Sequence, residues 1–362
     1  MASGQIRRLH IVRIPLFINR QKELDDLKKL FQSSPNSIVF VYGPKSCGKT
    51  TLMLKAYEEL SETHPQKFTF YWFDLRTKFI SGYDSIIDLF FSTTDIKERT
   101  AKGAQERIAV DLKVFHVEKT RWEELKARRL DPFDLMMDEI RRDVEKGRRV
   151  NIVFDELQRL RDVYVAENRN LIDELFDFFI ALSKVYHLAN VFVATSDTFF
   201  IEEIWTRSRL EGSAHYFKVE WLDESEVRNF LIENGLSEGE ADLVIEKIGG
   251  HPWALSELLG HIKGGKKVQE FVQQMLELAK AKVRTLLLFS DETAENREDV
   301  KRVLSLFVDR DSVEIGSLDE PSLYTPTIKF LCSKELLFYD PLDGKLMPST
   351  KPILHAIREV LG

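Results

Sequence analysis

Ile38-Val39-Phe40-Val41-Tyr42-Gly43-Pro44-Lys45-Ser46-Cys47-Gly48-Lys49-Thr50-Thr51 decides the fold. Its first five residues are all apolar and β-prone, as suits a strand buried on both faces of a parallel sheet. From Gly43 to Thr50 the chain fits G-x-x-x-x-G-K-[ST] at every fixed position. Small residues at this spacing let backbone N–H groups converge on phosphate oxygens. The loop then opens a helix, expected over 50–60, whose N-terminal dipole favours the same negative charge. Gly43, Pro44, Lys45, Ser46, Cys47, Gly48, Lys49, Thr50 and Thr51 are therefore the candidate phosphate site. Lys49 is expected to reach the β- and γ-phosphates, and the Thr50 hydroxyl to ligate Mg²⁺. Cys47 reads as a small residue that fits the loop rather than as a redox sensor.

A second element completes this chemistry. Ile152-Val153-Phe154 is an apolar strand ending in Asp155-Glu156. Asp155 at the strand tip can hold Mg²⁺ or its shell water. Glu156 can polarise an attacking water as general base. Such a pair also suits a helix start, with Asp155 as cap. Two further strands are expected, Phe68–Asp74 and Asn190–Ser196, with a helix over Asn170–Val185. Strands alternating with helices give crossover connections and a doubly wound parallel sheet. Active sites of such sheets lie beyond the strands' C-terminal ends, which places Ser196 beside the same site.

The rest of the chain falls into units. Residues 1–221 read as the α/β domain, with a charged, mainly helical insertion at about 78–149. Residues 222–264 read as a small helical lid, and Gly264-Gly265 as a hinge candidate. Residues 265–362 begin with a helix over Val268–Phe289 and end in strand, turn and strand around Pro341–Gly344, compatible with a winged-helix module. The 362 residues exceed what one hydrophobic core usually spans. The net charge of −7 argues against broad phosphate-backbone binding. Two cysteines imply no disulfide framework, and no apolar run is long enough to cross a membrane. The cytoplasm is the expected location.

These motifs, in this order, resemble the archaeal ATPase family of the STAND class, which is related to AAA+ proteins. Phe17-Ile18-Asn19-Arg20-Gln21-Lys22-Glu23-Leu24 resembles its opening F-x-x-R-x-x-E-L element, with Asn19 where glycine is commoner. The resemblance implies that Asn19 and Arg20 lie by the adenine and ribose. Asp155-Glu156-Leu157-Gln158 resembles its D-E-x-Q motif, and Val193–Ser196 its first sensor strand. Arg207-Ser208-Arg209 falls where relatives carry a phosphate-facing arginine, here Arg209 as the candidate, but the segment lacks the usual glycine–arginine ending. Gly249-Gly250-His251-Pro252 is by itself a helix stop followed by a helix start. It resembles the G-G-x-P element of the lid, which implies nucleotide contact at His251 and Pro252.

The expected activity is Mg²⁺-dependent ATP hydrolysis, slow, driving a switch between ATP and ADP states. Lys49, Glu156, Ser196 and Arg209 are the catalytic candidates. A DNA-associated ATPase using the winged helix is the alternative, favoured by Arg141–Arg149 and opposed by a net charge of −3 over 295–362. A small-molecule kinase fits poorly, because Glu156 suits water and no acceptor pocket is evident. Partners are expected to be adenine nucleotide and, through the insertion or winged helix, a protein.

Overall fold

The computed structural model describes residues 17–18, 20–77, 79–80, 82–93, 114–166, 169–207, 210, 212–289, 297–318 and 321–362. In chain order its elements are α1 (Gln21–Gln32), β1 (Ile38–Tyr42), α2 (Lys49–Thr63), β2 (Phe68–Asp74), α3 (Tyr83–Phe90), β3 (Phe91–Thr93) and β4 (Phe115–Val117). Then come α4 (Lys119–Lys126), α5 (Pro132–Glu145), β5 (Arg149–Asp155), β6 (Tyr164–Ala166), β7 (Arg169–Asn170), α6 (Leu171–Ile180), β8 (Ala189–Thr195), α7 (Thr198–Arg207) and β9 (Ala214–Lys218). The remainder is α8 (Glu224–Glu233), α9 (Glu238–Lys247), α10 (Pro252–Lys263), α11 (Val268–Phe289), α12 (Arg297–Ser305), β10 (Val313–Glu314), α13 (Pro321–Ser333), β11 (Leu337–Asp340), β12 (Lys345–Pro348) and α14 (Lys351–Leu361).

Five parallel strands form the central sheet in the order β2-β5-β8-β1-β9. Side chains alternate across a strand, so each face buries every second residue. Ile38, Phe40 and Tyr42 of β1 join one core with α3, α5 and α6, while Val39 and Val41 join the other with α1 and α2. This double burial is why the strands read as unbroken apolar runs. Composition does not announce strand β9. Its Ala-His-Tyr-Phe-Lys sequence sits at the sheet edge and buries only its first residue fully, so no apolar run marks it.

The described residues of the insertion are mainly helical, as α3, α4 and α5, with one short ladder besides. Among its described residues β3 and β4 pair in parallel, and α4 and α5 follow. Phe115 of β4 stacks on Tyr71 with centroids 4.2 Å apart, so this small ladder is sewn into the main core.

The lid and the C-terminal unit share one helix. Val268, Phe271, Val272 and Leu276 from the first half of α11 pack with α8, α9 and α10. Ala279, Val283 and Leu287 from its second half pack with α12, α13 and α14. A unit boundary at 264/265 therefore does not follow the packing. Gly264-Gly265 turns the chain between two helices of one core, with Gly265 at φ 78° and its N–H donating to Ile262 O, and is not a hinge between units. No helix among the described residues is long and apolar enough to cross a membrane.

Candidate functional site

The phosphate loop leaves β1 at Tyr42 and enters α2 at Lys49. Its backbone requires glycine at the start. Gly43 has φ 154°, and a Cβ there would stand 2.1 Å from Val219 O. Gly48 is left-handed at φ 104°, and Ser46 at φ 63° takes the same strained region without glycine's freedom. Pro44 and Cys47 are buried, whereas Lys45 and Ser46 are exposed. The Lys49 ammonium folds back on its own loop, donating to Gly43 O and Pro44 O at 3.0 Å each. Thr51 lies in the first turn of α2 and is half-buried.

Parallel register brings the second motif to the same sheet end. Tyr42 is level with Thr195, and Ala194 with Asp155. Thr50 Oγ1 donates to Asp155 Oδ2 at 2.8 Å, so the two expected metal ligands already touch. Asp155 is fully buried, and its Oδ1 has no hydrogen-bond partner. Burial pushes its carboxyl up to about 6, although Arg76 and Thr50 pull it down. The Thr50 hydroxyl and the Asp155 carboxylate, one of whose oxygens is orphaned, are an all-oxygen donor pair that fits Mg²⁺.

Glu156 begins where β5 stops. It is left-handed at φ 64°, its N–H donating to Ala194 O at 2.8 Å, so the chain does not continue as an Asp155-capped helix. Gln158 aims it: Gln158 Nε2 donates to Glu156 Oε2 at 2.5 Å. Thr195 Oγ1 in turn donates to Gln158 Oε1 at 2.8 Å and accepts from Asp197 N. The hydroxyl wired to the candidate base is thus Thr195, one residue before Ser196. Ser196 lines the cavity instead. The D-E-x-Q pattern carried the signal for Gln158. Thr195 could be told from Ser196 only by knowing where β8 ends.

Arg20 is buried, with positive φ, and donates to Cys47 O at 2.8 Å and Glu220 O at 2.7 Å. It clamps the phosphate loop from behind to the exit of β9. Asn19, Ser208 and Arg209 lie outside the described residues, and α7 ends at Arg207. Among the described residues, an arginine does stand at the candidate metal ligands: Arg76, just past β2, whose Nη2 donates to Asp155 Oδ2 at 2.7 Å. Nothing near Arg76 in the sequence distinguishes it from a surface arginine.

On the lid side, Gly249-Gly250-His251-Pro252 turns between α9 and α10. Leu222 N donates to Gly250 O at 2.9 Å, and a Cβ on Gly250 would fall 2.0 Å from Leu222 O. His251 caps α10, accepting from Ala254 N through Nδ1, and stacks on Trp221 at 4.7 Å. Burial holds its imidazole down at about 4, so it is neutral at physiological pH. Pro252 is the first residue of α10.

A cavity of about 950 Å³ joins these parts, with Lys45, Ser46, Glu156, Ser196, His251 and Glu335 on its wall. Its far side is the C-terminal unit. Lys45 pairs with Glu335. Asp340 Oδ1 accepts from Tyr42 Oη at 2.9 Å, and Lys218 Nζ lies 2.6 Å from Asp340 Oδ2. Tyr339 stacks on Phe199 at 5.1 Å.

A family model for an ATPase domain predominantly from Archaea matches residues 17–258. The chain belongs to this archaeal ATPase family. Residues 269–361 match the C-terminal domain of MJ1010-like uncharacterized ATP-binding proteins. Among family relatives in Methanocaldococcus jannaschii, the uncharacterized ATP-binding protein MJ1006 is 34% identical over 362 residues, 98% of this chain and 97% of that one. MJ1076 is 32% identical, covering 95% and 99%. Among solved structures, the Walker-type ATPase paby2304 of Pyrococcus abyssi superposes with a TM-score of 0.65 at 15% identity, covering 97% of this chain and 99% of that one. The ORC2 protein of Aeropyrum pernix, in its ADPNP–ADP complexes, gives 0.53 at 13% identity, covering 97% and 94%. These likenesses establish the fold. This archaeal ATPase family member is accordingly a P-loop ATPase of archaeal type.

Proposed function

We propose that the chain binds ATP and ADP with Mg²⁺ at Gly43–Thr51 and hydrolyses ATP slowly. The bound nucleotide then decides whether the C-terminal unit stays docked, as in STAND-type switches. Thr50 and Asp155 hold the metal, which when bound neutralises phosphate charge. Glu156, aimed by Gln158, takes the proton of the attacking water, and Lys49 leaves its carbonyls for phosphate oxygens. His251 and Pro252 carry the lid's contact with the base, and Arg20 keeps the loop in place for it. A cytoplasmic location belongs to the same proposal, in keeping with two free cysteines.

One observation carries this reading. The C-terminal unit walls the cavity of the phosphate loop, where Glu335 meets Lys45, and is fixed to the core beside it by Asp340 on Tyr42 and Lys218. A ligand shifts such an equilibrium only through different affinity for the docked and undocked states. Contacts from one unit onto the other's phosphate loop supply that difference.

We read the C-terminal order α12, β10, α13, β11, β12, α14 as a winged-helix module. In DNA readers of this type a helix enters the major groove. Here Pro326, Lys329, Phe330 and Ser333 of α13 face the cavity instead, which favours a switch over a DNA-associated ATPase. Denaturing the purified protein and identifying released nucleotide tests the proposal, followed by hydrolysis assays. Retained ADP and slow turnover are expected. Lys49→Ala should lose nucleotide, and Glu156→Gln should bind but not hydrolyse. Fast turnover stimulated by DNA would favour the alternative, and absence of nucleotide affinity would end both.

A further inference from the structure

Strand pairing sets Asp74 directly beside Asp155, and Glu156 follows, so three carboxylates meet at one end of the sheet. Arg76 stands among them. Its Nε and Nη2 donate to the Asp74 carboxylate at 2.9 and 3.1 Å, and Nη2 also reaches Asp155 Oδ2 at 2.7 Å. That is the oxygen to which the Thr50 hydroxyl donates. The guanidinium therefore contacts the side chain best suited to a divalent cation, and does so at a fully buried carboxylate whose other oxygen has no partner. Mg²⁺ binds oxygen at about 2.1 Å, and a cation already at hydrogen-bond distance from that carboxylate repels it.

We propose that Arg76 is a resident counter-cation of Asp155 that Mg²⁺ has to displace, so that the chain takes up the metal with nucleotide phosphates and scarcely without them. The inference rests on Thr50 and Asp155 as metal ligands. Phosphates bring the additional negative charge that tips the competition toward the metal. Arg76 keeps its grip on Asp74 throughout and acts as a positioning residue, not as a ligand.

The test uses Mn²⁺ alone as the probe, followed by electron paramagnetic resonance on nucleotide-free protein. Wild type should bind it weakly. Arg76→Gln should gain a site at least about tenfold tighter, a shift of the size expected for one charge removed nearby. Adding Asp155→Asn should abolish the gain, and Arg76→Lys, which keeps the charge, should stay weak. Thermal melts establish that each variant is folded. Equal Mn²⁺ affinity in wild type and Arg76→Gln overturns the inference. If that equality is found while wild type still binds Mg²⁺–nucleotide, the counter-cation alone is refuted. If wild type binds no nucleotide at all, the reading of the site fails first and the inference with it.

Discussion

Replacing Asp340 with alanine should loosen the C-terminal unit from the ATPase core. The carboxylate is fully buried, accepts from Tyr42 Oη and from Leu342 N, and pairs with Lys218. Burial pushes its acidity toward the neutral form, yet Lys218 and Tyr42 outweigh that and hold it below the usual range. Deleting one partner of a buried ion pair costs about 3–5 kcal/mol. The Lys218 side chain is 23% exposed and regains some water, which brings the cost to about 2–3 kcal/mol. That is roughly a 30- to 150-fold shift of the docking equilibrium. The assay is the release rate of a fluorescent ADP analogue, read beside the radius of gyration from solution scattering. Asp340→Ala should release ADP faster and expand, and Asp340→Asn, which keeps an acceptor for Tyr42, should do so less. A lowered melting temperature with unchanged release and unchanged radius would refute the reasoning, leaving Asp340 as a stabilising residue only.

Two further outcomes follow from the lid. Gly250→Ala drives a methyl group into Leu222 O and should destabilise the chain by about 2–3 kcal/mol, seen as a lower melting temperature with or without ADP. His251 has its pKa lowered from 6.5 to about 4 by burial, so between those values the unfolded chain binds a proton that the native chain refuses. Stability is therefore complete above pH 6.5 and falls by up to about 3 kcal/mol as pH drops toward 4, a slope that His251→Asn should remove in urea melts at stepped pH.

The phosphate loop and the Asp155-Glu156 strand were legible because their chemistry is local: fixed spacing in one case, an apolar run ending in carboxylates in the other. Helix α11 was legible as well, since its bounds, Val268–Phe289, follow from a continuous apolar stripe. What escaped depends on neighbours. Arg76 acquires its role only when β2 lies next to β5, and nothing in the spacing of those strands states that order. β9 leaned on an edge position rather than on its own composition. Gly264-Gly265 look like a hinge in sequence, whereas packing on both sides makes them a turn.

Helix α11 has a mechanical consequence. Its 22 residues span about 33 Å, and its two halves are locked into two different cores. Lid and C-terminal unit are thereby mounted on a common shaft with no joint between them. A tilt of about 10° at the Val268 end carries the Phe289 end by about 6 Å, on the same rise per residue. On the proposed switch, a small adjustment at the nucleotide would be delivered at the far end of the molecule as a stroke, with the crossing from β9 into α8, where Leu222 meets Gly250, as its pivot.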